Sequence, residues 1–525
     1  MRVTLSMIEG GDFKKAGAAT SALKRLLKKI NMDPADMRRA IIAAFEAEMN
    51  VVIHAYRGSM RAIIDSTEIE VEVRDEGPGI PDIEQAMQEG FSTASPAARQ
   101  LGYGAGLGLP NMKKNSDVFE IDSTVGQGTR VLYTVCFRSQ ESSETGHNSI
   151  RAISTNCRQC LYCVRVCAPK ALRVYDGKPQ ILRELCIDCA ACIGVCKSGA
   201  LTTASAMSEA QPFEEKVLLV PPHFLAQFSA AIYPSRVLAG IRKLAFREVY
   251  LTEAWENALR SAVIRYAAEE ARQLPVISPV CPAIVNLIRL RFQSLIEVIA
   301  PFLSPFEAAR NQFNGQKVVF VACCPCQLTA LTAGSFSRNV EVMMPATFRH
   351  VVQRVVMEEG VEERLQQVRI IPPANGSALN GILEACGMRH VIDVLEKLEN
   401  GRLRDVRILE LYACECGCYG SPLLTEQPFV ARYRWSRTQV EHAIAAKAIR
   451  RTAPLKPRTG MGLSADVSQA IEKLSELEEL AKSLPGKDCG LCGAPTCDAL
   501  AEDVVMGRAR KKACPYVIDD AERAP

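Results

Sequence analysis

Apolar and polar positions along this 525-residue chain repeat with several distinct periods. From Met37 to Tyr56 the apolar residues recur every three or four positions. Ile41, Ile42, Phe45, Met49, Val52 and Ile53 make one stripe, which predicts an amphipathic helix. The period then drops to two. Ile69, Val71 and Val73 point one way between charged neighbours, a half-buried strand that ends at Asp75-Glu76-Gly77-Pro78-Gly79. Past residue 206 strand-like and helix-like runs alternate: a strand at 216–220, a helix near 234–244, a strand at 247–252. That alternation predicts an α/β domain. Farther on, Val467, Ile471, Leu474, Leu477 and Leu480 form a stripe flanked by Glu and Lys. It spans only about two heptads, so it reads as a helix packed on its own domain rather than a coiled coil. The polar stretch 139–149 and the Pro- and Gly-rich stretch 452–466 read as linkers.

Composition narrows the class. Length alone calls for three or four domains, and 48% hydrophobic residues fit folded structure. A net charge of +4, from 63 basic and 59 acidic side chains, leaves no nucleic-acid footprint and no polybasic membrane patch. No apolar run approaches the length of about eighteen residues needed to cross a bilayer. The 21 cysteines follow an opening, MRVTLSMIEGGDFKK, without the apolar core of a signal peptide. The expected location is therefore a reducing cytoplasm.

Eight of those cysteines form two copies of one spacing. They are Cys157-x2-Cys160-x2-Cys163-x3-Cys167 and Cys186-x2-Cys189-x2-Cys192-x3-Cys196. Disulfides would need an oxidising compartment, and two abutting four-cysteine copies overspecify a zinc site. The segment resembles bacterial-type ferredoxins that hold two [4Fe–4S] clusters, in which the fourth cysteine of each copy crosses to the other cluster. The resemblance implies Cys157, Cys160, Cys163 and Cys196 for cluster one, and Cys186, Cys189, Cys192 and Cys167 for cluster two. The proline usual after the fourth cysteine is displaced to Pro169 in the first copy. In the second it is missing, and Lys197-Ser198 follow.

The N-terminal segment carries a different signature. Glu46 and Asn50 share a helix face, Asp75-Glu76-Gly77-Pro78-Gly79 ends a strand, and two glycine-rich boxes follow: Gly102, Gly104, Gly106 and Gly108, then Gly126-Gln127-Gly128-Thr129. In this order the boxes resemble the GHKL family of ATPases and kinases, most closely its anti-sigma-factor serine-kinase branch. The resemblance implies that Asn50 ligates Mg2+ and that Glu46 orients or deprotonates the attacking group. Asp75 would accept the adenine amino proton, with Gly77 and Gly79 letting the backbone approach the base. Gly102, Gly104, Gly106 and Gly108 would form a mobile lid over the phosphates, and Thr129 would belong to the binding site. Such parts suit phosphoryl transfer, which needs positioning and charge neutralisation. His54, one turn past Asn50, reads as helix packing rather than a phospho-acceptor. Dimerisation through this domain is also implied.

In the middle of the chain, cysteines stand in Ser278-Pro279-Val280-Cys281-Pro282, in Cys323-Cys324-Pro325-Cys326 and in Cys414-Glu415-Cys416-Gly417-Cys418. Their order and surroundings resemble the large catalytic domain of [FeFe] hydrogenases. That implies Cys281, Cys326, Cys414 and Cys418 as cubane ligands, with Cys418 also bridging to a di-iron subsite. This chain departs from the active pattern. Val280 replaces a proton-donating cysteine, Gln327 follows Cys326 where a lysine is usual, and Cys324 replaces a methionine. Little or no hydrogen turnover is expected, because that chemistry needs a proton donor within reach. Cys323, Cys324 and Cys416 are either packing residues or alternative ligands, and Cys136 and Cys386 read as packing.

The last cysteines, Cys489-x2-Cys492-x4-Cys497-x16-Cys514, resemble the small four-cysteine Fe–S domain of corrinoid proteins and redox sensor-transducers. Four thiolates also suit zinc, but the glycines at 490 and 493 favour a loop around a [4Fe–4S] cluster. Arg508, Arg510, Lys511 and Lys512 read as a solvated helix face. The implied fold class is multidomain α/β and α+β. It comprises a GHKL α/β sandwich (1–138), a small 2[4Fe–4S] ferredoxin fold (150–205), a hydrogenase-like α/β domain (206–432), a helical connector and linker (433–483) and a small C-terminal Fe–S domain (484–525).

Together these readings point to a cytoplasmic iron–sulfur redox sensor linked to hydrogen or low-potential electron metabolism. Its kinase-like domain would use ATP and Mg2+ to phosphorylate or sequester a regulatory partner. Its clusters would exchange electrons with a ferredoxin or a hydrogenase subunit. An ATP-dependent electron-transfer subunit and a hydrogenase-complex scaffold with structural clusters are the alternatives.

Overall fold

The computed structural model describes residues 2–30, 32–64, 68–94, 104, 106–137, 148–203, 215–228, 232–332, 340–357, 381–403, 405–438, 444–458, 460, 462–464 and 466–517. Gly102 and residues 139–147 of the first expected linker lie outside them. The chain divides into two compact units. One comprises residues 1–143, 459–487 and 496–525, the other residues 144–458 and 488–495. Among the described residues no helix is long and apolar enough to cross a membrane.

The first unit is built on a five-stranded antiparallel sheet of order β1-β2-β3-β5-β4. The strands are β1 (Arg2–Glu9), β2 (Arg57–Ile64), β3 (Glu68–Glu76), β4 (Val118–Thr124) and β5 (Gly128–Cys136). The alternation in β3 has the expected outcome: Ile69, Val71 and Val73 are buried and their neighbours are not. Helices α1 (Ala18–Lys29) and α2 (Pro34–His54) complete the layer. The buried face of α2 follows the predicted stripe only in part, at Met49 and Val52. Ala40, Ala43, Ala44, Ala47 and Val51 are buried, while Ile41, Ile42 and Phe45 are only partly so. Small side chains bring the helix axis close to the sheet, close enough for the buried Tyr133 hydroxyl to donate to the Ala40 carbonyl at 2.9 Å. The N-terminus of α1 is capped from α2. The buried Glu48 carboxylate accepts from the amides of Gly17, Ala19 and Thr20 and from the Thr20 hydroxyl.

Two helices from the end of the chain belong to the same unit. Val467–Lys482 packs on Cys497–Val505 through buried Ala470, Leu474 and Leu477, in line with the own-domain reading. Three expectations need correction. His54 is exposed as the last residue of α2. Cys136 is exposed too, as the last residue of β5. Arg510, Lys511 and Lys512 are exposed, but Arg508 turns inward and pairs with the fully buried Asp503 at 2.9 Å. A charge at that depth needs a partner.

The second unit opens with the cysteine repeats. β6 (Ile150–Ala152) pairs with β9 (Leu201–Thr203), and β7 (Leu172–Tyr175) with β8 (Lys178–Ile181), both antiparallel. Two parallel sheets follow, of order β11-β10-β13-β14 and β12-β16-β15. They contain β10 (Val217–Val220), β11 (Glu248–Leu251), β12 (Val276–Ile277), β13 (Val318–Val321), β14 (Val340–Met343), β15 (Ile382–Cys386) and β16 (Ile408–Tyr412). β10 and β13 are buried at every position, as strands covered on both faces must be. The expected linker 452–466 is partly anchored. Arg458 is buried and donates to the carbonyls of Arg183, Glu184 and Cys186, so a segment read as punctuation clamps the second cysteine loop.

Candidate functional site

On the first unit, α2 presents Glu46 and Asn50 to the start of the helix Gly108–Lys114. A methyl group on Gly108 would lie 3.1 Å from Asn50 Oδ1 and 3.4 Å from Glu46 Oε2, so the last glycine of the lid box faces both. Asn111, one turn along that helix, donates to Glu46 Oε1 at 2.9 Å and fixes its direction. Nothing in the sequence marks Asn111 beyond its place one turn after the last glycine of that box. Asp75 sits at the end of β3. It accepts from the Thr129 amide at 3.2 Å and also from the Gly77 amide. Burial raises its pKa above the usual range, and those two amides oppose the shift. Ser123 ties the region together, accepting from the Ile80 amide at 2.8 Å and meeting the Thr129 hydroxyl at 2.9 Å. Gly79 has φ of 72°, and a methyl there would collide with the Thr124 carbonyl, so the turn requires glycine. Gly104 and Gly106 are also left-handed. Glu46, Asn50 and Gly108 thus come together on one side, and Asp75, Gly77, Gly79 and Thr129 on another.

In the second unit the two cysteine repeats have the same backbone path. Gln159 and Leu161 flank Cys160 with φ of 53° and 63°, and Asp188 and Ala190 flank Cys189 with 56° and 61°. Three residues past each fourth cysteine, Lys170 and Gly199 again take positive φ, 57° and 68°. Left-handed non-glycine residues at matching positions curl each loop around its sulfurs, at a conformational cost of about 1 kcal/mol each. Cys167, Cys186, Cys189 and Cys192 line one cavity of ≈ 340 Å³ including its open mouth. Cys163 lies against Cys157, Cys160 and Cys196. The crossed sets implied by the repeat are therefore the sets that the fold brings together. Burial pushes the Cys163 and Cys167 thiols up to about 11, and Cys186 and Cys189 up to about 12. Such thiols keep their protons until a metal centre displaces them. The loop of Cys489 and Cys492 shares the habit, with φ of 46°, 74° and 87° at Asp488, Gly490 and Gly493. Cys497 opens its helix and Cys514 is buried.

The remaining cysteines lie just past the carboxyl ends of parallel strands, where ligands gather in open α/β sheets. Cys281 follows β12, Cys326 follows β13, and Cys414 and Cys418 follow β16. All four line one cavity of ≈ 310 Å³ with Cys324, Tyr412 and Cys189. Cys281 caps the helix Pro282–Arg291. The Cys326 thiol and the amides of Ala413, Ile284 and Ala283 hold Cys281 down to about 7. Cys324 Sγ is 2.7 Å from Cys326 Sγ, which settles its place on the cavity wall. Cys323 and Cys416 are buried away from that wall, and Cys386 is half-buried. Gln327 takes up the position after Cys326, donating toward Cys418 Sγ at 3.7 Å and accepting from the Cys323 amide at 2.8 Å. Val280 is buried beside Cys281.

Asp188 was not singled out by the sequence. It is 2% exposed, and the Ser149 amide donates to it at 3.1 Å and the Thr329 hydroxyl at 2.5 Å. It fastens the Cys186–Cys189 loop to the helix that carries Cys326. The four or more sulfurs converging on each cavity are the donor set that a [4Fe–4S] cluster takes, the group that four-cysteine loops of this spacing hold.

Comparison with known proteins places three segments. The model of the histidine kinase-like ATPase domain matches residues 12–135, and that of the C-terminal domain of the iron-only hydrogenase large subunit matches 214–330. The model of a putative Fe–S cluster matches 484–516, with Cys489, Cys492, Cys497 and Cys514 inside it. The hydrogenase match contains Cys281 and Cys326 and ends before Cys414 and Cys418. The serine/threonine-protein kinase RsbT of Bacillus subtilis is 30% identical over 118 residues, 22% of this chain and 83% of the kinase. The anti-sigma F factor of Caldanaerobacter subterraneus is 40% identical over 105 residues, 19% of this chain and 68% of that protein. The corrinoid/iron–sulfur protein large subunit of Moorella thermoacetica is 50% identical over 46 residues, 9% of this chain and 10% of that one. Among solved structures, an [FeFe]-hydrogenase from Chlamydomonas reinhardtii is 14% identical, covering 51% of this chain and 91% of its own, with a TM-score of 0.34.

Proposed function

The chain belongs, through residues 12–135, to the histidine kinase-like ATPase family, and from that premise we propose that it is an iron–sulfur redox sensor whose cluster state governs ATP-dependent phosphorylation. The observation that carries this reading is Cys189. It lines both the cavity of Cys167, Cys186 and Cys192 and the cavity of Cys281, Cys326, Cys414 and Cys418. Two clusters placed there stand next to each other, so the electron held by one is available to the other. Four clusters are proposed in all: two in the ferredoxin-like segment, one in the hydrogenase-like domain and one at the C-terminal cysteines. With Val280 beside Cys281, the hydrogenase-like domain has no proton donor at that position and holds electrons instead of turning over hydrogen.

The output is phosphoryl transfer. Asn50 would hold Mg2+ and Asp75 the adenine amino group. Glu46, aimed by Asn111, would take the proton from a serine hydroxyl of a partner protein. The new bond joins that serine oxygen to the γ-phosphorus, the β–γ bridging bond breaks, and ADP leaves. In the test, γ-labelled MgATP is given to the cluster-loaded protein, oxidised or reduced, with the soluble proteins of its host. Labelled serines are then identified by mass spectrometry. A serine labelled by wild type, not by Glu46→Gln, and in one redox state far more than the other supports the sensor. Equal labelling in both states overturns redox control. The adjoining cavities also favour a second reading, ATP-driven electron transfer, for which MgATP-dependent reduction of a one-electron dye without labelled protein would be the sign.

A further inference from the structure

Two buried arginines stand at the cysteines of one cavity, that of Cys167, Cys186, Cys189 and Cys192. Arg458 is 6% exposed. Its guanidinium donates to the Cys186 carbonyl at 3.0 Å and to the carbonyls of Arg183 and Glu184 at 3.2 Å each. Its backbone is fixed from the other side: the Arg458 amide donates to the Arg289 carbonyl at 2.9 Å, and the Gln293 side chain donates to the Arg458 carbonyl at 3.1 Å. Arg173 is 2% exposed and donates to the carbonyls of Lys170 at 2.8 Å and Leu172 at 3.1 Å. The Lys170 amide in turn donates to the Cys167 carbonyl at 3.0 Å, and the Ala171 amide to the Cys167 sulfur at 3.2 Å. Arg173 therefore covers the turn after Cys167, and Arg458 the loop of Cys186. The opposing buried charge is Asp188, whose Oδ1 lies 3.7 Å from the Cys186 sulfur. Two guanidinium groups against one carboxylate leave this cavity's surroundings positive. A cubane held by four thiolates is an anion, and reduction adds one more negative charge. In a buried place that charge is costly unless cations stand close, because their attraction is least screened there.

We infer that Arg173 and Arg458 are the redox-tuning residues of the cluster held by Cys167, Cys186, Cys189 and Cys192, keeping its reduction potential up against the cost of burial. The inference rests on the iron–sulfur reading of those four cysteines. An electron from a one-electron carrier enters the cluster, no bond forms or breaks, and both arginines keep their protons. They act as positioning residues, through their charge on the cluster and their hold on its loops. Through Cys189 this centre adjoins the cavity of Cys281, Cys326, Cys414 and Cys418. Its potential then decides which of the two centres holds a shared electron.

The test uses full-length protein reconstituted with iron and sulfide under anaerobic conditions. Iron content is measured, and the clusters are titrated reductively while followed by electron paramagnetic resonance. Arg458→Gln keeps a carbonyl donor but loses the charge. One component should become about tenfold harder to reduce, a shift of about 59 mV to lower potential. Arg458→Lys should bring that component back to within about threefold of wild type, since the charge returns. Arg173→Gln should move the same component in the same direction, and Cys192→Ala should lose iron and that component with it. If both glutamine variants keep their iron and leave every component in place, the inference is overturned. A component that shifts in Arg458→Gln yet persists in Cys192→Ala overturns it as well, because the arginines then act on another centre. So does an equal shift in Arg458→Lys and Arg458→Gln, which would make loop position rather than charge the cause. Should Arg458→Gln lose its iron, Arg173→Gln decides, and an unmoved potential there counts against the inference. Equal iron in wild type and Cys192→Ala would mean that the cluster reading of these cysteines is what fails, and the inference with it.

Discussion

In the proposed function Glu46 and Asp75 divide the work of the nucleotide site, and each would have its own signature in solution. Glu46 is held by Asn111 at 2.9 Å beside Asn50 and Gly108. Replacing it with Gln should slow phosphoryl transfer by about a hundredfold or more, the usual worth of a general base. Asn111→Ala should slow the same step about tenfold through misplacement, with nucleotide affinity nearly unchanged. Initial rates and MgATP titrations on the same preparations check both. Asp75 has a pKa raised chiefly by burial. Its ionised form would be the stronger acceptor for the adenine amino proton. Nucleotide affinity should therefore fall as pH is lowered, and begin to fall at a higher pH than an exposed Asp would give. Asp75→Asn should weaken binding about tenfold and flatten that profile. In the nucleotide-free protein the sign reverses. The raised pKa favours the fold at low pH, and that contribution is lost as pH rises through it. At this scale the sequence marks Glu46, Asn50 and Asp75 by motif, and the fold sets the first two beside Gly108 and the third at the end of β3. Asn111 and Asp188 carry no such mark, because a supporting hydrogen bond is made by the fold and leaves no spacing in the chain.

At the scale of elements, the cap on α1 is the joint to break. Glu48 accepts from three amides and one hydroxyl at the start of α1, reaching across from α2. Glu48→Ala would leave those donors unpaired in a buried place, destabilising the domain by about 3 kcal/mol. The first thermal transition of the protein should fall by about 10 °C, readable by calorimetry. A shift within error would mean that water replaces the carboxylate. Element types were readable because period two in β3 and the apolar run in β10 leave little choice. The buried face of α2 is legible only in part, at Met49 and Val52, since its buried alanines weigh little in an apolar pattern. The stretch 452–466, within which the division between the two units falls, is anchored in a way its composition does not reveal. Proline and glycine mark it as irregular, but irregular backbone can be pinned, here by the Arg458 guanidinium on three carbonyls.

For the whole molecule, a kinase-like ATPase stands on one chain with iron–sulfur and hydrogenase-like segments, and in the proposed function the two chemistries are linked. Linkage is reciprocal: if reduction of the clusters changes the affinity for MgATP, MgATP must shift a cluster potential by the same free energy. The direct measurement is the dissociation constant of MgATP for cluster-loaded protein under anaerobic conditions, once oxidised and once reduced. A redox sensor of this kind should show a difference of about fivefold or more, near the lower end of allosteric coupling energies. Equal constants in the two states would contradict the proposed function and leave the clusters and the nucleotide site as separate functions on one chain.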